Sequence, residues 1–185
     1  MLVAAMALIA LLVAEGCRSR ETVRFGIVVT DEAVVAAQHA ASEINATGGI
    51  QGHPLELRVI AGGSSTRASL SIAAAEELSG DPKVIGVIGH SNSSASLSAA
   101  QIYNARQLVQ IAPTSSAPLL SQVGPYTFRL VPSDVHQAQF LADQVGADRA
   151  RPRTAVFFVN DDYGHALHQE FHALLEGAQV PVVYE

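Results

Sequence analysis

The sequence has no tryptophan and a single cysteine, and only 5% of its residues are aromatic. One cysteine excludes a disulfide bond within the chain. Charged residues are also few, at 15%, the Lys and Arg residues form no cluster, and the formal net charge is −6. Nucleic-acid binding draws on basic patches and on aromatic stacking. The composition therefore argues against a nucleic-acid partner.

Apolar residues and glycine are abundant instead. Hydrophobic residues make up 49% of the 185 residues, and there are 14 glycines. These values are typical of a globular α/β protein and exclude a disordered chain. The length predicts one or two small domains.

An unbroken apolar run stands at the start of the chain, from Leu2 to Ala14. It is too short for a membrane span and has the length of a signal-peptide core. Cys17 follows it, which resembles a bacterial lipobox, with 1–17 as signal peptide and Cys17 as the lipidated residue. Glu15 departs from that pattern, and no Lys or Arg precedes the run. A plain secretory signal, or a buried N-terminal helix with an inert thiol, are the alternatives. We expect export, with lipidation at Cys17.

Strand patterns and helix patterns then alternate. Strands are predicted by short runs rich in β-branched residues, and helices by apolar residues repeating with the helical period. The predicted elements are, in order, strand Val23–Thr30, helix Ala33–Asn45, strand Leu55–Val59, helix Ala68–Leu78, strand Val84–Ile88, a helix ending at about Arg106, strand Val109–Ala112 and extended segment Tyr126–Val131. This alternation predicts an α/β fold with a doubly wound, Rossmann-like parallel sheet and right-handed crossovers.

The remaining chain continues the pattern. A helix is predicted over Asp134–Val145, a strand over Ala155–Val159, a helix through about Glu176 and a strand over Val180–Tyr184. The apolar sequence AVFFV indicates that Ala155–Val159 is buried. Because the last strand begins just before the final residue, we expect this part of the fold to be incomplete.

Hydroxyl residues are concentrated after two of the predicted strands. Ser91-Asn92-Ser93-Ser94 follows the third strand, and Thr114-Ser115-Ser116 follows the fourth. Parallel sheets bind ligands beyond the carboxyl ends of their strands, and helix N-termini attract carboxylates. Any one of these serines could simply cap a helix. Two such clusters at neighbouring strand ends favour a pocket for a polar small molecule.

The same segments carry a family resemblance. The stretches VIGH, then Ser93-Ser94, Ile102-Tyr103 and IAPTSSAP resemble the branched-chain amino-acid-binding proteins, the periplasmic type 1 substrate-binding proteins of ABC transporters. EINATGGIQG, Phe128-Arg129, Ser133-Asp134 and Asp162-Tyr163-Gly164 also match. The resemblance runs from about Val23 to the end of the chain, which corresponds to the N-terminal part of the family.

This resemblance implies a two-lobed clamp around an amino acid or an amide. It implies that 22–133 is the N-terminal ligand-binding lobe and that 134–185 is the start of a second, truncated lobe. Ser93 matches the residue that binds the ligand carboxylate, Thr114 matches the residue whose carbonyl accepts from the ammonium, and Ser116 matches a hydroxyl that touches both. Ser115 lies between these two, and Tyr163 matches an aromatic residue of the second lobe. The family usually has a longer loop after the first strand, whereas here Thr30-Asp31-Glu32 enters the helix directly.

The family assignment also implies partners and a location. We expect an ABC transporter permease as partner, an extracytoplasmic or periplasmic location with a lipid anchor at Cys17, and no cofactor or metal. A ligand-sensing domain of a receptor is the alternative within the same fold.

Two further interpretations concern chemistry. Gly89-His90-Ser91-Asn92-Ser93 resembles the nucleophile elbow of α/β-hydrolases, with Ser91 as nucleophile, but serine stands at the last position where glycine is needed. His165, His168 and His172 repeat at helical spacing, and Glu176 extends the stripe, which is a pattern both of metal sites and of solvated helix faces. We expect a solvated face and no enzyme.

Overall fold

The computed structural model describes residues 21–61, 65, 67–147 and 153–184. The apolar run Leu2–Ala14 and Cys17 lie outside the described residues, so the signal and lipidation remain predictions. Within the described ranges, no helix is long and apolar enough to cross a membrane.

Five parallel strands form the central sheet. They are β1 (Val23–Val28), β2 (Leu55–Val59), β3 (Val84–Gly89), β4 (Val109–Ala112) and β5 (Thr127–Arg129), in the order β2-β1-β3-β4-β5. The order reverses between β1 and β3, which is the point where open parallel sheets form a crevice at their carboxyl ends. The predicted doubly wound parallel sheet is confirmed.

Three helices connect these strands. They are α1 (Asp31–Ala46), α2 (Ala68–Ser79) and α3 (Ser93–Ala105), and a short 3-10 turn covers Pro118–Ser121. Thr30 caps α1 by accepting a hydrogen bond from the Ala33 N–H, so the chain enters this helix directly after β1, as the sequence indicates. Helices α2 and α3 pack against the sheet over a core that includes Leu78, Val87 and Tyr103.

A second unit follows β5. It consists of α4 (Asp134–Ala147), β6 (Thr154–Ala155), α5 (Asp162–Gly177) and β7 (Val182–Tyr184), with β6 and β7 paired in parallel. Ala138 of α4 packs with Phe171 and Leu175 of α5, and these buried residues form a core separate from that of the sheet.

The predicted buried strand Ala155–Val159 is wrong in both length and burial. The strand ends at Ala155, and Phe157 is 81% exposed. Val156 packs into the core of the second unit, but Val159 is 63% exposed. Among the described residues, β6 pairs only with β7. A buried strand in a parallel sheet is covered on both faces, and the segment after Ala155 is not covered in this way.

Candidate functional site

The two hydroxyl-rich segments lie together at the carboxyl end of the sheet, because β3 and β4 are adjacent parallel strands. They border a cavity of about 620 Å³. The start of α4 and the start of α5 form its other wall. The cavity is lined by Ser91, Asn92, Ser93, Thr114, Ser116, Val131, Pro132, Ser133, His136, Gln137, Phe140, Asp161 and Tyr163.

Ser93 is the first residue of α3, but it is not the helix cap. Asn92 performs that role, with Oδ1 accepting a hydrogen bond from the Ala95 N–H at 2.8 Å. The Ser93 side chain is buried, and its Oγ accepts from the Ala117 N–H at 3.3 Å. A hydroxyl donates as well as accepts, so the Ser93 hydrogen can be donated into the cavity.

Thr114 and Ser116 face the cavity from the loop after β4. The Thr114 hydroxyl donates to the Ser91 carbonyl at 2.6 Å, which ties this loop to the loop after β3. The Ser116 carbonyl accepts from the Asp134 N–H at 3.0 Å and from the Arg129 guanidinium at 3.4 Å. Both residues therefore lie in hydrogen-bonded positions at the junction of the sheet with α4.

Ser115 faces the opposite way. Its side chain is buried, and its Oγ lies 2.8 Å from Ser96 Oγ and 3.2 Å from the His90 carbonyl oxygen. The structure brings Ser93, Thr114, Ser116 and Tyr163 to one cavity, and it places the Ser115 hydroxyl behind the cavity wall.

Tyr163 reaches the cavity from the first turn of α5. Asp161 caps this helix, since its Oδ1 accepts from the Gly164 N–H at 2.8 Å. The Tyr163 hydroxyl accepts a hydrogen bond from the Gln137 side-chain amide of α4 at 3.3 Å. The aromatic ring is thus held by the two helices of the second unit.

Helix N-termini give the cavity its electrostatic character. Helices α3 and α5 begin at its wall, and the Asp162 N–H of α5 donates to Ser94 Oγ of α3 at 3.2 Å. Unpaired N–H groups at helix starts favour negatively charged ligand groups. The lining residues that the structure describes include no Lys or Arg, and Asp161 is their one carboxylate. This arrangement suits a zwitterion, whose carboxylate is met by N–H and O–H donors.

Asp134 lies directly behind this wall, at the first position of α4, and is fully buried. Burial raises the pKa of its carboxyl group above the usual range. The Ser116 hydroxyl and the Arg129 charge oppose the rise, while Glu170 reinforces it.

Sequence reasoning placed Tyr163 in the site but missed the rest of the wall that α4 and the start of α5 contribute. A signal was available, since the polar pairs Ser133-Asp134 and Asp161-Asp162 each precede a predicted helix, as Ser91–Ser94 does. Which side chains of α4 turn toward the cavity depends on how that helix packs on α5, which periodicity does not specify. The lining residues missed are Val131, Pro132, Ser133, His136, Gln137, Phe140 and Asp161.

The hydrolase interpretation is not favoured by the surroundings of Ser91. Its Oγ accepts a hydrogen bond from the Thr30 N–H at 3.1 Å. A nucleophile elbow turns its serine directly into a helix, whereas here Ser91 is followed by Asn92 and the helix begins at Ser93.

The histidines of α5 lie beside one another and beside Phe158. His168 stacks on the Phe158 ring at 4.2 Å, His165 Nε2 lies 2.7 Å from Asn160 Oδ1, and His172 lies 3.7 Å from Glu176. In the described ranges, no three His, Cys, Asp or Glu side chains are grouped so that they could hold a metal ion.

Known proteins with similar sequences or structures bind ligands. Residues 32–185 match the family described as the receptor family ligand binding region. An amino acid binding protein of Pseudomonas aeruginosa is 30% identical over 151 residues, which is 80% of this chain and 40% of that protein. Metabotropic glutamate receptor 4 of Rattus norvegicus is 46% identical over 67 residues, which is 35% of this chain and 7% of the receptor.

A solved structure extends the likeness to the fold. An ABC transporter substrate-binding protein of Desulfitobacterium hafniense, in complex with Leu, superimposes with a TM-score of 0.74 at 28% identity, covering 89% of this chain and 50% of that one. The chain thus spans half or less of the length of each of these relatives. The family and these neighbours are binding proteins rather than enzymes, and the resemblance inferred from the motifs is confirmed. The chain belongs to the receptor family ligand binding region, and it has the periplasmic type 1 fold of the substrate-binding proteins of amino-acid ABC transporters.

Proposed function

We propose that this chain is the amino-acid-binding part of an extracytoplasmic solute-binding protein that serves an ABC transporter. One observation carries the proposal: the N-terminus of α3 and the hydroxyls of Ser93, Thr114 and Ser116 meet at a cavity that no Lys or Arg among the described residues lines. The names of the relatives agree, since one is an amino acid binding protein and another was solved with Leu.

Each wall of the cavity has its own role in this proposal. The Ser93 hydroxyl and the start of α3 bind the ligand carboxylate, because both offer hydrogen-bond donors. The Thr114 carbonyl and the Ser116 hydroxyl accept from the ligand ammonium. Tyr163 closes over the ligand from the second unit. Residues 22–133 then form the first lobe of a clamp, and 134–185 contribute to the second.

The location and the transport partner follow from the same proposal. A solute-binding protein has to be exported, which is the function we assign to 1–17, and Cys17 anchors the mature protein through a lipid. The bound protein then delivers its ligand to a membrane permease. No catalytic step is required, so we expect no turnover of the ligand.

A sensing role is the second candidate. The 46% identity with metabotropic glutamate receptor 4 over 67 residues favours it, although that match covers 7% of the receptor. In a sensor the same cavity binds an amino acid but the chain is attached to a signalling domain. Deleting the gene separates the two roles: loss of labelled amino-acid uptake indicates transport, and unchanged uptake with a lost transcriptional response indicates sensing.

Calorimetric titration with three ligands of one carbon skeleton tests the recognition of a zwitterion. Leucine carries both charged groups, isoamylamine lacks the carboxylate, and isocaproate lacks the ammonium. We expect leucine to bind and each analogue to bind at least about tenfold more weakly, since a hydrogen bond to a charged group is lost. Equal binding of leucine and isocaproate would show that the ammonium is not recognised, and the roles of Thr114 and Ser116 would be wrong.

A further inference from the structure

A pair of buried serines lies behind the cavity wall. Ser96 Oγ and Ser115 Oγ are 2.8 Å apart, and the side chains are 0% and 1% exposed. Ser96 belongs to α3, which starts at the loop after β3, whereas Ser115 belongs to the loop after β4. Neither residue lines the cavity. Their contact therefore joins the two ligand-binding loops from the protein interior.

Both hydroxyls converge on one backbone carbonyl. The His90 oxygen lies 3.1 Å from Ser96 Oγ and 3.2 Å from Ser115 Oγ, and the His90 N–H donates back to Ser96 Oγ. Two hydroxyls hold two hydrogens, so one hydrogen serves the contact between the serines and the other serves the carbonyl. These contacts join Ser96, Ser115 and the His90 backbone in one small cluster.

Hydrogen bonds through Gln110 connect the cluster to the sheet. The Gln110 side-chain amide of β4 donates to the Ser96 carbonyl at 3.3 Å and accepts from Thr127 Oγ1 of β5 at 3.2 Å. Asn104 of α3 in turn donates to Thr127 Oγ1 at 2.8 Å. Buried networks whose members are all satisfied hold one arrangement, because any shift leaves a polar group unpaired.

The pair of Ser96 and Ser115 lies close in sequence to the residues that line the cavity. Ser93 precedes Ser96 by three residues, close to one helical turn, and Thr114 and Ser116 flank Ser115 in the chain. With Ser115 turned inward, its two neighbours face the cavity. The hydrogen bond from the Ala117 N–H to Ser93 Oγ joins the same two loops.

We propose that Ser96 and Ser115 are positioning residues, whose buried hydroxyl pair holds the loops after β3 and β4 in the register that lets Ser93 and Ser116 face one ligand. This inference rests on the proposed function of the cavity. It assigns Ser115 an indirect part in the site, through its neighbours.

Amide hydrogen exchange of the ligand-free chain tests the register directly. In Ser96→Ala and in Ser115→Ala we expect the Ala117 amide to exchange about tenfold faster, as for one lost hydrogen bond, while the Val87 amide of the central strand keeps its parental rate. The double variant should exchange no faster than either single one, because the pair acts as a unit. Should one variant not fold, the other removes the same contact. Ser98→Ala is the control, since Ser98 donates within α3 to the Ser94 carbonyl.

Leucine affinity provides the second readout. We expect both single variants to lose about tenfold in affinity although neither side chain touches the ligand, with no further loss in the double variant. If the exchange rate of the Ala117 amide is unchanged, or if the Ala117 and Val87 amides accelerate equally, the inference is wrong. Equal acceleration would mean that the pair stabilises the whole fold and does not set the register of the two loops. Failure of the parent chain to bind any amino acid would instead contradict the proposed function, and the exchange rates would still decide whether the pair sets the register.

Discussion

At the scale of single residues, our proposal assigns ligand contact and helix capping to different side chains. Asn92 caps α3, and in our proposal the adjacent Ser93 binds the ligand carboxylate. We predict that Ser93→Ala lowers leucine affinity about 10- to 150-fold, because a hydrogen bond to a charged ligand group contributes roughly 1.5–3 kcal/mol. Its melting temperature should fall only by the loss of the one hydrogen bond that Ser93 Oγ accepts from the Ala117 N–H.

Asn92→Ala is the matched comparison. It removes the cap and should cost about 1 kcal/mol of unfolding free energy. Titration calorimetry and thermal unfolding of the two variants measure both quantities. If Ser93→Ala keeps its affinity but loses stability, Ser93 is a structural residue and its assignment to the ligand carboxylate fails.

Asp134 gives a second prediction at this scale, one of pH dependence. Burial raises the pKa of its carboxyl group, so the folded protein takes up a proton at a higher pH than the unfolded chain does. The folded state of the parent therefore gains stability as the pH falls from about 7 towards about 4, and Asp134→Asn cannot show this gain. The melting temperature of the variant minus that of the parent should decrease over this range. A difference that stays constant would show that Asp134 is not perturbed.

The sequence alone located most of these residues because their signals are local. Hydroxyl clusters at the ends of predicted strands fall at one edge of a parallel sheet whatever the packing, which predicts that Ser91–Ser94 and Thr114–Ser116 lie together. The choice of Ser93, Thr114 and Ser116 within these clusters comes from the family resemblance. The direction of Ser115 could not be predicted, because the chain after Ala112 leaves the strand and has no periodic rule for its side chains. His136 was missed because it depends on the packing of α4.

At the scale of elements, strand and helix patterns were sufficient for the central sheet. Its five strands lie where β-branched runs indicate them, with ends that differ by one or two residues. The pattern fails at Ala155–Val159, where an apolar run alone indicates burial. Burial depends on neighbouring elements, and the described residues supply β6 with a single paired strand.

Two glycines of helix α5 have different surroundings, so substituting each of them tests how the helix packs. A Cβ on Gly164 would lie 1.9 Å from the Val159 carbonyl oxygen, whereas a Cβ on Gly177 would meet nothing within 4 Å. We predict that Gly164→Ala destabilises the chain by about 1–3 kcal/mol, because a backbone atom has to move. Gly177→Ala should be neutral or stabilising by up to about 1 kcal/mol. Urea unfolding of both variants measures this, and equal stabilities would contradict the placement of α5 against residue 159.

At the scale of the whole molecule, an ion-pair cluster lies at the end of the sheet opposite the hydroxyl cavity. Arg24 and Arg58 bind the Asp81 carboxylate at 2.8 and 2.6 Å, and Asp81 precedes the amino end of β3. The Lys83 N–H, followed by Arg24, lowers the pKa of Asp81 to about 2. The hydroxyl cavity at the other end has no such ion pairs among its described residues.

This ion-pair cluster predicts an acid limit of stability. Since the folded-state pKa lies below the ordinary value, the contribution of Asp81 is complete above about pH 4 and disappears as the pH falls towards about 2. We expect Asp81→Asn to melt well below the parent at about pH 7, and the two melting temperatures to converge near pH 2. Parallel pH profiles of melting temperature would contradict the role of Asp81.

A titration of the isotope-labelled chain with leucine tests whether the hydroxyl cavity binds an amino acid. Two-dimensional amide spectra report each residue separately and detect weak binding as well as tight binding. We predict saturable shifts at Ser93, Thr114, Ser116 and Tyr163, with the α1 amides unchanged. Shifts confined to other surfaces would contradict binding in this cavity. The absence of any shift with leucine and with the other aliphatic amino acids would contradict it as well.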